Sequence, residues 1–175
     1  MSMEIVNKVA QSGLTTIDLE SFYPEGKVLS FDLKDYLFKG LILREKDFRE
    51  ALSGIDWKQY QDAVVAVHCS NDAIIPQWAY MLVAVYAAPY AHKIYFGNTD
   101  LALAKYYQEV VDGLDVLVYT DERIVIKGCS KHPVPTDAYV ALTRKLRMVA
   151  KSVMYGEPCS TVPLFKRKES KNESI

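Results

Sequence analysis

Three cysteines, Cys69, Cys129 and Cys159, are the residues of this chain best suited to chemistry. An odd number at distant positions does not suit a secreted disulfide framework and points to free thiols in a reducing compartment. Two of them have a polar companion three residues on, in Cys69-Ser70-Asn71-Asp72 and Cys129-Ser130-Lys131-His132. Three thiolates with one Asp or His make a tetrahedral donor set for zinc or, with added sulfide, for iron. Two other readings use the same residues. Cys69, at the junction of a strand and a helix, suits an activated thiol, with Cys129 or Cys159 resolving it. Alternatively all three are structural, small hydrophobes near loop ends, with Asp72 a helix cap and His132 a loop histidine. His68 is a poor base for Cys69, because neighbours on a strand point to opposite faces. The chain has no Gly-rich phosphate loop, HExxH, GxSxG or Cys-x-x-Cys motif to suggest other chemistry.

The elements that must position these thiols are visible through an internal repeat. Residues 46–97, slid forward by 59 positions, fall on 105–156 without a gap. Lys46, Glu50, Gly54, Asp56, Tyr60 and Asp62 meet Lys105, Glu109, Gly113, Asp115, Tyr119 and Asp121. Pro76, Ala79-Tyr80, Ala91 and Gly97 meet Pro135, Ala138-Tyr139, Ala150 and Gly156. Each copy reads as strand–helix–strand: Val64 to Val67, a helix opened by Pro76, and Lys93 to Phe96 in the first. In the second they are Arg123 to Ile126, a helix from Thr136 to Arg147, and a strand Ser152 to Tyr155. Read alone, Thr136 to Tyr155 passes for one helix, which would carry Cys159 to the opposite edge of a sheet. The repeat breaks that helix and sends all three cysteines out of the carboxyl ends of parallel strands.

The expected fold is α/β, with a parallel-sheet core from two repeated strand–helix–strand units and N-terminal strands extending the sheet. Those strands are Leu14 to Leu19 and Lys27 to Phe31, after a short helix over 3–11. Asp32 is expected to cap a short helix through Phe38. The expected organisation is one domain over 1–165, with a charged, disordered tail over 166–175. A formal charge of −1 gives no reason to expect nucleic acid. The start lacks the pattern of a signal peptide, and no apolar run reaches membrane-spanning length, so a cytoplasmic location follows.

At several of these residues the chain resembles a bacterial family known as domain of unknown function 2480. The resemblance rests on Asp18-Leu19-Glu20, on Gly40 to Arg49, and on Cys69-Ser70 followed by Asp72-Ala73-Ile74. It continues through Pro76, Trp78 to Leu82, Lys127-Gly128-Cys129 and Pro133-Val134-Pro135, and ends with Gly156-Glu157-Pro158-Cys159-Ser160-Thr161-Val162-Pro163-Leu164. The family's motifs contain all three cysteines, which favours a thiol site, while His132 falls in a variable stretch. Its genes often lie beside those for sulfur mobilisation, so the resemblance implies an accessory role in iron–sulfur cluster assembly, with assembly proteins as partners.

Overall fold

A computed structural model describes residues 13–128 and 131–168. Among the described residues, seven strands run in chain order as β1 (Leu14–Asp18), β2 (Val28–Asp32), β3 (Val64–His68), β4 (Lys93–Phe96), β5 (Arg123–Lys127), β6 (Ser152–Glu157) and β7 (Ser160–Lys166). The helices are α1 (Glu45–Ser53), α2 (Gln77–Ala87), α3 (Thr99–Gly113) and α4 (Thr136–Leu146). The chain is therefore mixed α/β. It divides into two compact units, Pro24–Glu109 and the pair of segments Met1–Tyr23 with Val110–Ile175.

In the unit Pro24–Glu109, β2, β3 and β4 form a parallel sheet with β3 in the centre. Val64 to Val67 are buried, as a central strand covered on both faces requires. Ala79, Val83 and Ala87 recur every four residues on α2 and are fully buried. On the same core sits an aromatic cluster. Phe31 stacks on Tyr36 at 5.3 Å and on Trp57 at 5.6 Å, and Trp57 stacks on Tyr86 at 5.5 Å. The Trp57 indole N–H donates to the Leu52 carbonyl at 2.9 Å, so the ring is buried without leaving its donor unpaired. Entry into β3 needs a left-handed residue, and Asp62 supplies it at φ 57°, a conformation that Asp tolerates.

In the other unit the order is β1-β5-β6-β7, with β1, β5 and β6 parallel and β7 antiparallel to β6. Ile124, Val125, Ile126 and Val153 are buried in the sheet, and Leu142 and Leu146 cover it from α4. After α4 the chain turns back over 147–151 into β6, so Thr136 to Tyr155 is a helix and a strand. The Lys145 ammonium donates to the carbonyls of Val111, Asp112 and Leu114 at 2.8, 2.8 and 2.9 Å. It caps carbonyls at and just beyond the end of α3 with a positive charge.

The N-terminal strands extend sheets as expected, but they belong to two sheets, not one. A single parallel core would bring β3 beside β5. Instead β2 takes the free edge of β3 and β1 takes the free edge of β5, so neither has an edge left for the other. Two further differences lie at the C-terminus. Ser160–Lys166 forms a strand that its proline disguised; Pro163 stands beside a bulge on an edge strand, where a missing N–H costs little. Residues 166 and 167, expected in the charged tail, are held in the fold. Lys166 pairs with Ser152, and Arg167 donates its backbone N–H to Lys151 and its guanidinium to Asp121 and Val149. The expected helix over 3–11 and residues 169–175 lie outside the described residues.

Candidate functional site

The two described cysteines both stand at carboxyl ends of strands. Cys69 follows β3 directly and is half-buried; its Sγ donates to the Asn71 carbonyl at 3.6 Å. Two tethers pin its loop: the Ser70 N–H donates to Asp32 Oδ1 at 2.9 Å, and Asn71 Nδ2 donates to the Gly40 carbonyl at 3.2 Å. His68 points elsewhere, with its Nε2 2.8 Å from the Ser30 hydroxyl. Asp72 is exposed and does not cap α2, which begins five residues later at Gln77 after Pro76.

Asp32 ends β2 opposite His68. Burial works against its ionisation. Hydrogen bonds from the Ser70 hydroxyl and from the Lys34 and Ser70 amides, with His68 nearby, win and hold the carboxyl at about 2. One ionised side chain thus joins the end of β2, the turn at Leu33–Tyr36 and the Cys69 loop.

In the other unit, Cys159 is exposed in the two-residue turn between β6 and β7, where Glu157 pairs with Ser160. Gly156 lets this turn close. It holds φ 121°, and a Cβ there would stand 2.6 Å from the Ser160 carbonyl oxygen. Cys129 lies outside the described residues, after β5 and Gly128. Beyond it, Lys131 donates its N–H to Glu20 at 2.9 Å, and the exposed His132 ring stacks on Tyr23 at 4.3 Å. Lys127, the last residue of β5, holds Asp18 at 3.1 Å and Glu157 at 3.9 Å. The hydrogen bond to Asp18, with the charges of Asp18 and Glu157, raises the Lys127 pKa.

Among the described residues, no three His, Cys, Asp or Glu side chains are grouped as metal ligands. The structure therefore brings Cys69 together with Asp32, Ser70 and Asn71, and brings Lys127 together with Asp18 and Glu157. Sequence reasoning saw Asp32 only as a cap and passed over Lys127 and Asp18. A signal was present, since Asp18-Leu19 and Asp32-Leu33 repeat one device. Each Asp ends a strand, accepts from the N–H two residues on, and pairs in register with a basic residue, Lys127 or His68.

Among the described residues, no helix is long and apolar enough to cross a membrane. No curated protein and no solved structure matches the chain. A family model described as "Protein of unknown function (DUF2480)" matches residues 3–167, and the chain belongs to that family.

Proposed function

We propose that this protein binds zinc or an iron–sulfur cluster through cysteine thiolates, with Cys129 and Cys159 as the ligand pair. One observation carries the reading. β5 and β6 are adjacent and parallel, and each cysteine follows two residues after its strand, Cys129 after Lys127 and Cys159 after Glu157. Neighbouring strand ends lie ~4.8 Å apart, close enough for loops leaving them to present two thiolates to one ion. His132, three residues after Cys129, is the nearest further donor in sequence. Cys69 and Asp72 are the remaining ligand candidates of the chain. An accessory role in cytoplasmic iron–sulfur cluster assembly is the biological form of this reading, and the family resemblance is what favours it. Titration of the metal-free protein with cobalt(II) tests it. Thiolate-to-metal charge-transfer absorption should saturate in the wild type and fall away in Cys129→Ser and in Cys159→Ser. Absorption as strong in both variants as in the wild type would refute the pair. Cys69→Ser, Asp72→Asn and His132→Gln, titrated alongside, identify the other ligands.

The pinned loop favours a second reading, in which Cys69 is the working thiol of an enzyme or sulfur acceptor. Under it, Cys69→Ser alone removes alkylation by iodoacetamide at low reagent concentration. The third reading, an interaction module with structural cysteines, predicts that none of these substitutions changes more than stability.

The same chain supports a duplicated architecture, in which β3–α2–β4 and β5–α4–β6 are copies of one strand–helix–strand unit. Supporting it, β3 and β5 span 64–68 and 123–127, and α2 and α4 span 77–87 and 136–146, each offset by 59. Asp62 and Asp121 both adopt a left-handed conformation, at φ 57° and 61°. Their N–H groups donate to Tyr90 and Val149, at 2.9 and 3.0 Å. In this register Cys69 matches Gly128, not Cys129, so the thiols of the two units are not copies of one another.

A further inference from the structure

We propose that a cavity at the carboxyl end of β5 and β6 is a binding site for a small, uncharged aromatic molecule. The cavity has a volume of about 430 Å³ and is lined by Ile126, Thr136, Tyr139, Thr143, Tyr155 and Leu164 among others. That volume is in the range of small-molecule sites, and carboxyl ends of parallel strands are where open α/β sheets hold their ligands. Tyr139 and Tyr155 meet edge to face, with centroids 5.8 Å apart and planes at 82°. Such a corner offers a third ring one face and one edge together. Thr136 and Thr143 add hydroxyls that can give or take one hydrogen bond. Among the described residues no charged side chain lines the cavity, so matching of charge selects a neutral molecule.

Two features make this cavity more than a gap in packing. Gly128 directly follows β5, and a Cβ there would stand 2.6 Å from the Tyr139 hydroxyl oxygen. Glycine is therefore what admits the phenol to the strand end. In the other unit, Tyr80 and Phe96 build a similar corner, at 5.1 Å and 84°, yet the residue after the central strand there is Cys69. That unit also lacks a strand equivalent to β7, which supplies Leu164 as a wall. Leu164 is half exposed, as an apolar residue at the rim of an open site would be.

The test is nuclear magnetic resonance titration of the full, metal-free chain with phenol and with indole. Saturable shifts centred on Ile126, Thr143 and Leu164 are expected. Thr143→Trp fills the cavity and should weaken binding at least tenfold. Leu164→Arg, at the exposed rim, should weaken it as well and guards against a core variant that fails to fold. The proposal is overturned by non-saturable or scattered shifts, or by folded variants that bind as tightly as the wild type. Benzoate or benzylamine binding as well as phenol would overturn its claim to select neutral rings.

Discussion

Replacing Asp32 by Asn should uncouple the Cys69 loop from β2, and the cost can be worked from the structure. Asp32 is 15% exposed and accepts from the Lys34 and Ser70 amides at 3.0 and 2.9 Å. Its carboxyl titrates at about 2, against an ordinary 3.8. A difference of about 1.8 units corresponds to ~2.4 kcal/mol of preference for the ionised form in the folded state. Because the site is near the surface, screening reduces this to about 1–2 kcal/mol. The folded pKa is depressed, so this stability is complete above about pH 4 and is lost as pH falls towards 2. Urea unfolding of wild type and Asp32→Asn at a series of pH values reads it. The gap between them should be about 1–2 kcal/mol at pH 7 and should narrow steadily below pH 4. Cys69 should also react faster with a bulky disulfide reagent in the variant at pH 7. A gap that is absent, or that stays constant from pH 7 to pH 2.5, would refute the argument.

Gly26→Ala should destabilise by roughly 2 kcal/mol or more, because its Cβ would overlap the Asp62 carbonyl, and backbone cannot move aside cheaply; thermal unfolding checks it. Lys145→Met keeps the aliphatic stem but removes three charged hydrogen bonds to carbonyls, and should cost on the order of 1–3 kcal/mol in urea unfolding. Trp57→Phe keeps the ring stack with Phe31 and Tyr86 but leaves the Leu52 carbonyl without its indole donor, for a loss of about 1–2 kcal/mol by the same measurement.

Local patterns in this sequence translate well into elements. The apolar run at Val64 to Val67 is a strand, the stretch after Pro76 is a helix, and 147–151 breaks what looked like one long helix. That break was visible only by comparing the second half with the first, because Thr136 to Tyr155 reads as one helix on its own. Long-range pairing was not legible. β1 and β2 are alike, each ending in an Asp that is followed by Leu, and nothing local says that each pairs with a different central strand. β7 was hidden because its stability comes from pairing with β6, while its composition, with Pro163, reads as coil. At the site, the strand-end positions of Cys69 and Cys159 were legible from the same patterns. The role of Asp32 was not, since its partner Ser70 is 38 residues away.

The thiolate pair is the centre of this account, and metal and sulfide content tests it most directly. Protein purified without air or chelator would be assayed for zinc, iron and acid-labile sulfide, beside a Cys129→Ser/Cys159→Ser variant of equal thermal stability. Near-stoichiometric metal in the wild type, absent from the variant, is the predicted result. Metal-free wild type whose thiols all titrate freely, or equal metal in both proteins, would contradict it.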